Sequence, residues 1–323
     1  MKKILAIVAG EPNSISSEII FKTWKLRKKF KHNYFFVIGS IEILKKQSKK
    51  LKYNIKFKEL KSNFHTSNLD DNFLNIYNIN YSQKKPFQNI SNKSNKYIKT
   101  SFETALNFIK NKKICGLVNC PISKEHLLKK KFRGITEFLA NKSGSSGNEV
   151  MLIYNKKLSV SPITTHIPLK NVTRSINKID IIKKVKTINL FYKQKFKKNP
   201  IIGILGINPH NYSPYRNSEE KSIILPAIKV LKKNKIKVVG PFSTDAAFLL
   251  YKKYNLDVIV GMYHDQVLTT FKSLFKYDAI NITLGLPFIR TTPDHGTAED
   301  IMGKNLANPK SLIESLKFFN NIK

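Results

Sequence analysis

The chain has little of several things, and each scarcity narrows what it can be. Cysteine occurs twice in 323 residues, as Cys115 and Cys120. That number and spacing support neither a disulfide framework nor a structural zinc site, and they fit a reducing cytosol. Arginine is scarce as well: Arg27, Arg133, Arg174, Arg216 and Arg290 are five of 58 basic residues, the rest being lysine. Asp and Glu together number 21, which leaves a formal charge of +37. Such a charge invites a nucleic-acid reading. A protein that reads bases is expected to use arginine, whose planar fork matches guanine and phosphate. Lysines scattered among Asn and Ile are instead the pattern of a solvated surface, with non-specific attraction to polyanions as a by-product. No specific nucleic-acid partner is expected.

Long hydrophobic runs are missing too. The opening "MKKILAIVAGEPNS" mimics a signal peptide. Its apolar run is only "ILAIVAG", and Glu-Pro follows at once, so a first β-strand and turn is expected instead. Nothing approaches the length of a transmembrane helix, and a cytoplasmic chain without membrane attachment is expected. With 41% hydrophobic and 11% aromatic residues, the bulk of the chain is not disordered. Its length suffices for two ordinary domains or one large α/β unit.

What is present is an alternation of short apolar runs and helical patterns. "ILAIVAG" is followed by "SSEIIFKTWKLRKKF", whose apolar residues recur at helical spacing, and "YFFVIGS" by "IEILKKQSKK". "ICGLVNC", "EVMLIY", "LSVSPITTH", "IIGILGIN", "IKVVGP", "LDVIVGMY" and "AINITLG" come later, mostly separated by helices such as those expected over 179–196 and 218–233. This order predicts an α/β fold with a largely parallel sheet. Residues 60–97 are polar and without clear period, which predicts an irregular insertion or an edge hairpin.

Of the seven histidines, His32, His65 and His126 lie in Lys-rich or polar surroundings and are expected at the surface. His166, His210, His264 and His295 each follow an apolar strand or a Pro/Gly-rich turn. Ligands of open α/β sheets collect at the carboxyl ends of strands, where "TTHIPL", "NPH", "MYHDQ" and "NITLGLPFIRTTPDHGTAED" fall. One histidine at such a place is ordinarily a hydrogen-bonded core residue. If the strand ends converge, however, His166, His210 and His264 form a three-imidazole site with room for a substrate oxygen, as at a catalytic Zn²⁺ or similar divalent ion. Asp245 and Asp265 would ligate directly or orient the imidazoles. Glu11, Glu137, Asp294, Glu299 and Asp300 also fall in or next to these stretches. Helix capping explains part of that set, but not its clustering in so acid-poor a chain.

"MYHDQ", Lys272 and "NITLGLPFIRTTPDHGTA", with "NCPISKEHL", "TEFLA", "TTHIPL", "GINPH" and "GPFSTDAAF", resemble the 4-hydroxythreonine-4-phosphate dehydrogenase (PdxA) family of vitamin B6 biosynthesis. The motifs occur in that family's order from about Ala9 onward; the stretch from about 45 to 95 is hard to match. The resemblance implies a two-domain α/β/α homodimer of the isocitrate and isopropylmalate dehydrogenase type, with the active site in the interdomain cleft. One domain would span 1–130 with 296–323 on the cofactor side, and 131–295 would carry the metal ligands and the dimer interface. It implies NAD or NADP bound at Gly10, Glu11, Asp294 and His295, in a family that does not use a GxGxxG motif. It implies Zn, Mg, Mn or Co on His166, His210 and His264, with one histidine donated by the partner chain. Thr136, Lys272, Asn281 and Arg290 match its substrate-binding residues. The implied reaction oxidises 4-phosphohydroxy-L-threonine and decarboxylates the β-keto acid to 3-amino-2-oxopropyl phosphate, with Lys272, Asp245 or Asp265 moving protons.

Two departures from the family pattern matter. The family's Gly-His-Thr-Glu reads "GITE", so Ile135 stands in place of a histidine and can neither donate a hydrogen bond nor carry charge. Either Lys131 or Arg133 compensates, or the substrate's polar end is held differently. "GEPNSISSE" has Ser14 and Ser16 where glycines are usual, which alters that turn's contacts while leaving hydroxyls able to cap a helix or bind an anion. Sister enzymes acting on 4-phospho-threonate or 4-phospho-erythronate therefore stay in play. A non-catalytic polyanion-binding protein is the rival of another class, and a retired site would have no physical need of all three histidines.

Overall fold

The computed structural model describes residues 4–31, 33–128, 134–211 and 217–322; His32, Lys131 and Arg133 lie outside them. The chain forms two compact units, Met1–Gly147 with Leu286–Asn321, and Asn148–Gly285 with Ile322–Lys323. The first contains β1 (Ile4–Val8), α1 (Ser16–Leu26), β2 (Tyr34–Gly39), α2 (Ile41–Lys50), β3 (Phe57–Glu59), β4 (Leu74–Asn78), α3 (Asn95–Lys110), β5 (Gly116–Asn119), α4 (Lys124–Leu128) and α5 (Ile135–Lys142). The second contains β6 (Val150–Tyr154), β7 (Ser159–Thr164), α6 (Val172–Ser175), α7 (Lys178–Phe191), β8 (Ile202–Leu205) and α8 (Leu225–Lys233). It continues with β9 (Val238–Phe242), α9 (Thr244–Leu250), β10 (Val258–Tyr263), α10 (His264–Phe275) and β11 (Ile280–Leu284), before β12 (Ile289–Pro293) and α11 (Lys310–Phe318) complete the first unit.

In the first unit the strands run β3-β4-β2-β1-β5-β12, every neighbouring pair parallel. Strands buried on both faces read as unbroken apolar runs, and all five residues of β1 are buried. Phe36, Phe102, Leu117 and Phe138 belong to one core beneath them. The second unit orders its strands β11-β6-β7-β10-β8-β9. Its last four are mutually parallel, while β6 is antiparallel to both β11 and β7. Val160, Leu205, Ile259 and Phe271 form its core. The α/β, largely parallel architecture is thus the expected one.

Two expectations change. Residues 60–97 hold neither a hairpin nor a wholly irregular insertion, because β4 pairs parallel with β2 and then with β3. Asn75 disguises that strand: although buried, it spends its amide on Asp70 and Phe73 backbone groups, anchoring the preceding turn. The cuts between units fall after Gly147 and Gly285 rather than at 130 and 295. Ile135 and Phe138 of α5 pack into the first core, and β12 pairs with β5. Thr136, Arg290, Asp294 and His295 therefore belong to the first unit.

Candidate active site

In the second unit, four neighbouring parallel strands each end in a residue singled out by the sequence. His166 follows β7, His264 follows β10, His210 follows β8 and Asp245 follows β9. Register pairs Thr164 with Tyr263, so His166 and His264 leave adjacent strands at the same level, with ring centroids 5.9 Å apart. His264 Nδ1 lies 2.6 Å from Asp265 Oδ1, and His210 Nδ1 lies 3.8 Å from Asp245 Oδ2. A carboxylate hydrogen-bonded at Nδ1 orients the His264 ring and leaves Nε2 for another partner, whereas the His210–Asp245 contact is longer than a hydrogen bond. The Ser243 hydroxyl, with the Ala246 N–H and His210, holds the Asp245 carboxyl below its ordinary range. His166 and His210 both occupy the left-handed region, with φ of 55° and 54°.

The histidines thus form two associations, His166 with His264 and His210 with Asp245. Among the described residues no group of three or more His, Cys, Asp or Glu is placed to hold a metal ion within the one chain. Lys272 is exposed and sits further along α10 than His264, its Cα about 12 Å on at 1.5 Å per residue. Asn281, on β11, is half-buried, and its buried Oδ1 has no hydrogen-bond partner among the described residues. Such an acceptor costs about 1–3 kcal/mol, which a ligand's donor would offset.

Sequence reasoning passed over Glu220, although an adjacent acidic pair in an acid-poor chain was a signal. Its buried carboxylate accepts the N–H groups of Ile207 and Asn208 at 2.8 Å each, and the Asn208 amide at 2.8 Å. Burial alone would raise this carboxyl, but those bonds outweigh it and hold it below its ordinary value. The stabilisation is therefore complete above the ordinary carboxylate pKa and is lost as pH falls through the lowered one. Glu220→Gln is expected to cost about 1.5–3 kcal/mol, the usual worth of hydrogen bonds to a charged group. Urea unfolding at neutral and acid pH checks this: the gap between wild type and variant should narrow in acid.

In the first unit Arg290 is 1% exposed. Its Nε donates to Asn119 Oδ1 at 2.7 Å and its Nη1 to Thr136 Oγ1 at 3.3 Å. Burial pushes the guanidinium down to about 9, with Glu137 opposing, so it stays charged at neutral pH. Asn119 was missed: as the last residue of an apolar strand it gives no sign of its partner. Ile135, beside Thr136, points into the core with Leu127 and Phe138.

The turn after β1 is built around Gly10, at φ 74°, where a Cβ would lie 2.3 Å from the Pro121 carbonyl oxygen. Glu11 accepts from Asn13 N–H and the Ser94 hydroxyl, yet burial pushes its carboxyl up, opposed in part by His126. That histidine, expected at the surface, is half-buried beside Ser123. Ser14 Oγ donates to the Glu11 carbonyl at 2.6 Å and accepts the Ser16 N–H at 3.1 Å, so these serines close the turn themselves. Ile15 N–H donates to Thr297 O at 3.2 Å, joining this turn to the stretch that holds Asp294 and His295.

The sequence model of the family described as Pyridoxal phosphate biosynthetic protein PdxA matches residues 31–319. The 4-hydroxythreonine-4-phosphate dehydrogenase of Sulfurihydrogenibium sp. (strain YO3AOP1) is 42% identical over 318 residues, 97% of this chain and 96% of that one. A protein of Oceanobacillus iheyensis provisionally named D-threonate 4-phosphate dehydrogenase is 32% identical, over 98% of this chain and 96% of its own. Among solved structures, the 4-hydroxythreonine-4-phosphate dehydrogenase of Klebsiella pneumoniae aligns with a TM-score of 0.84 and 26% identity, covering 98% of both chains. An isocitrate dehydrogenase from Methylococcus capsulatus, with a TM-score of 0.50 and 10% identity, shares the fold alone. A family match over most of the sequence and a full-length relative at 42% identity lead to one conclusion: the chain belongs to the PdxA family.

Proposed function

We propose that the chain oxidises 4-phosphohydroxy-L-threonine with NAD or NADP as hydride acceptor. The β-keto acid then loses CO₂ to give 3-amino-2-oxopropyl phosphate, a step in forming pyridoxal 5'-phosphate. The observation that supports this most is the row of His166, His264, His210 and Asp245 at four neighbouring strand ends. Imidazoles suit Zn or Co, and the carboxylates of Asp245 and Asp265 extend the reading to Mg or Mn; the Asn281 Oδ1, without a partner among the described residues, suits a ligand's donor. Among the described residues one chain does not gather three donors, so on this reading a second copy supplies one histidine and the working form is a homodimer. When bound, the ion would supply Lewis-acid polarisation of the reacting oxygens. Asp245, held ionised, or Lys272 takes the hydroxyl proton as hydride leaves, while Asp265 keeps the His264 ring in place. Arg290, Thr136, Lys272 and Asn281 hold the substrate's polar and anionic groups. Gly10, Glu11, Asp294 and His295 form the cofactor side; their two stretches adjoin through Ile15 and Thr297.

Position 135 favours a second reading, oxidation of a four-carbon phosphorylated acid such as D-threonate 4-phosphate. Ile135 is 7% exposed in an apolar cluster and offers the substrate no polar group. Purified protein with Mg²⁺, Mn²⁺, Co²⁺ or Zn²⁺ is to be assayed for reduced nicotinamide with each substrate. Faster turnover of 4-phosphohydroxy-L-threonine is expected; turnover of the phospho-threonate alone would replace the first reading by the second. Ile135→His is expected to lower stability by about 1–3 kcal/mol, since it buries a polar ring among hydrocarbon, without lowering KM. A lower KM at unchanged stability, read from kinetics and urea unfolding, would place residue 135 against the substrate after all.

A further inference from the structure

Gln266 lies in the first turn of α10, two residues beyond His264, and is 6% exposed. Its amide is fully used. Oε1 accepts the Met262 N–H at 2.6 Å, and Nε2 donates to the Gly206 carbonyl at 2.7 Å and to Thr244 Oγ1 at 2.8 Å. The three partners belong to three different strand ends. Met262 is in β10, just before His264. Gly206 follows β8, on the way to His210. Thr244 opens α9, beside Asp245. Thr164 continues the chain of contacts toward His166, its hydroxyl donating to Met262 O at 2.8 Å. Space for the amide depends on Gly261, where a Cβ would lie 2.8 Å from Gln266 Oε1 and 2.5 Å from Val267 Cγ1.

An apolar side chain of the same volume would fill this position without needing partners. A buried amide bonded to three separate strand ends does something more: it ties their displacements together, and a fully satisfied buried network is rigid. We propose that Gln266 is a positioning residue that fixes where the His210 loop and the Asp245 helix lie relative to His264. The inference rests on reading these histidines as metal ligands, and it assigns the relative placement of the donor-bearing strand ends within each chain to one side chain that contacts none of the reacting atoms.

Gln266→Met keeps volume and removes the amide, so it is the test. In the full chain stripped of metal, hydrogen exchange is followed over 206–211 and 243–250, with 181–191 as an internal reference. Mn²⁺ affinity is then measured by titration. Exchange in the two segments is expected to rise about tenfold, the equivalent of one lost hydrogen bond, with the reference unchanged. Mn²⁺ affinity is expected to fall about 10- to 100-fold, the usual effect of removing a group that orients a ligand. Wild-type exchange and wild-type affinity would overturn the proposal, and so would a uniform rise that includes 181–191. His264→Ala, titrated in parallel, separates the two readings. If it binds Mn²⁺ normally, the ligand assignment fails; if it does not bind while Gln266→Met does, only the positioning role fails. Should Gln266→Met not fold, Thr244→Val removes a single acceptor, and unchanged exchange over 243–250 would then overturn the proposal.

Discussion

His264→Ala is expected to leave the fold intact and to lower kcat/KM by about three orders of magnitude or more. Lewis-acid stabilisation of developing charge contributes several kcal/mol, and each 1.36 kcal/mol is a factor of ten in rate. The fold should tolerate the change for reasons visible around the ring. The His264 side chain is 37% exposed, and its hydrogen bond runs to the 80% exposed Asp265. Surface truncations of this kind shift stability by no more than about 0.5 kcal/mol. Steady-state kinetics, Mn²⁺ titration and urea unfolding on one preparation check all three points. Full turnover with bound metal would remove His264 from the ligand set, and with it the main support for the proposed chemistry.

Arg290→Met is expected to be strongly destabilising, by about 3 kcal/mol or more, since it removes two hydrogen bonds from a buried charged group, each contributing about 1.5–3 kcal/mol. Without the guanidinium, Asn119 Oδ1 loses its donor and the buried Glu137 Oε2 loses the nearby cation. Arg290→Lys separates charge from shape. It keeps the cation but not the planar fork that reaches Asn119 and Thr136 together. Its expected signature is a KM for the phosphorylated substrate raised about 10- to 100-fold, since hydrogen bonds to charged groups contribute about 1.5–3 kcal/mol. The smaller loss of stability would be read in urea. A Lys variant with unchanged KM would make Arg290 a structural cation only.

Much of this was legible before any coordinates, where residue type and spacing carry the cause. The apolar runs became strands because burial on both faces demands such runs, and His166, His210 and His264 follow strands β7, β8 and β10, where those runs stop. Asn75 hid β4, since a buried amide serving a turn looks like loop sequence. Glu220 and Asn119 were missed for a related reason: each acts on a segment distant in sequence, Ile207 and Asn208 for the one and Arg290 for the other. Only folding creates those contacts. Gln266 was visible as the end of "MYHDQ", but its three partners were not. The boundaries between the units shifted for the same reason, because β12 joins β5 across a long excursion of the chain.

The backbone at His166 and His210 carries a last consequence. At φ of 55° and 54°, each residue adopts a conformation that costs an ordinary L-amino acid roughly 1–2 kcal/mol. Glycine would adopt it without strain. Local stability alone would therefore favour glycine at both positions, and it would favour losing the imidazoles. The backbone strain at these two histidines is thus expected to exceed what glycine would carry there. Directed selection for thermal tolerance, applied without a requirement for turnover, would be expected to erode these two positions early.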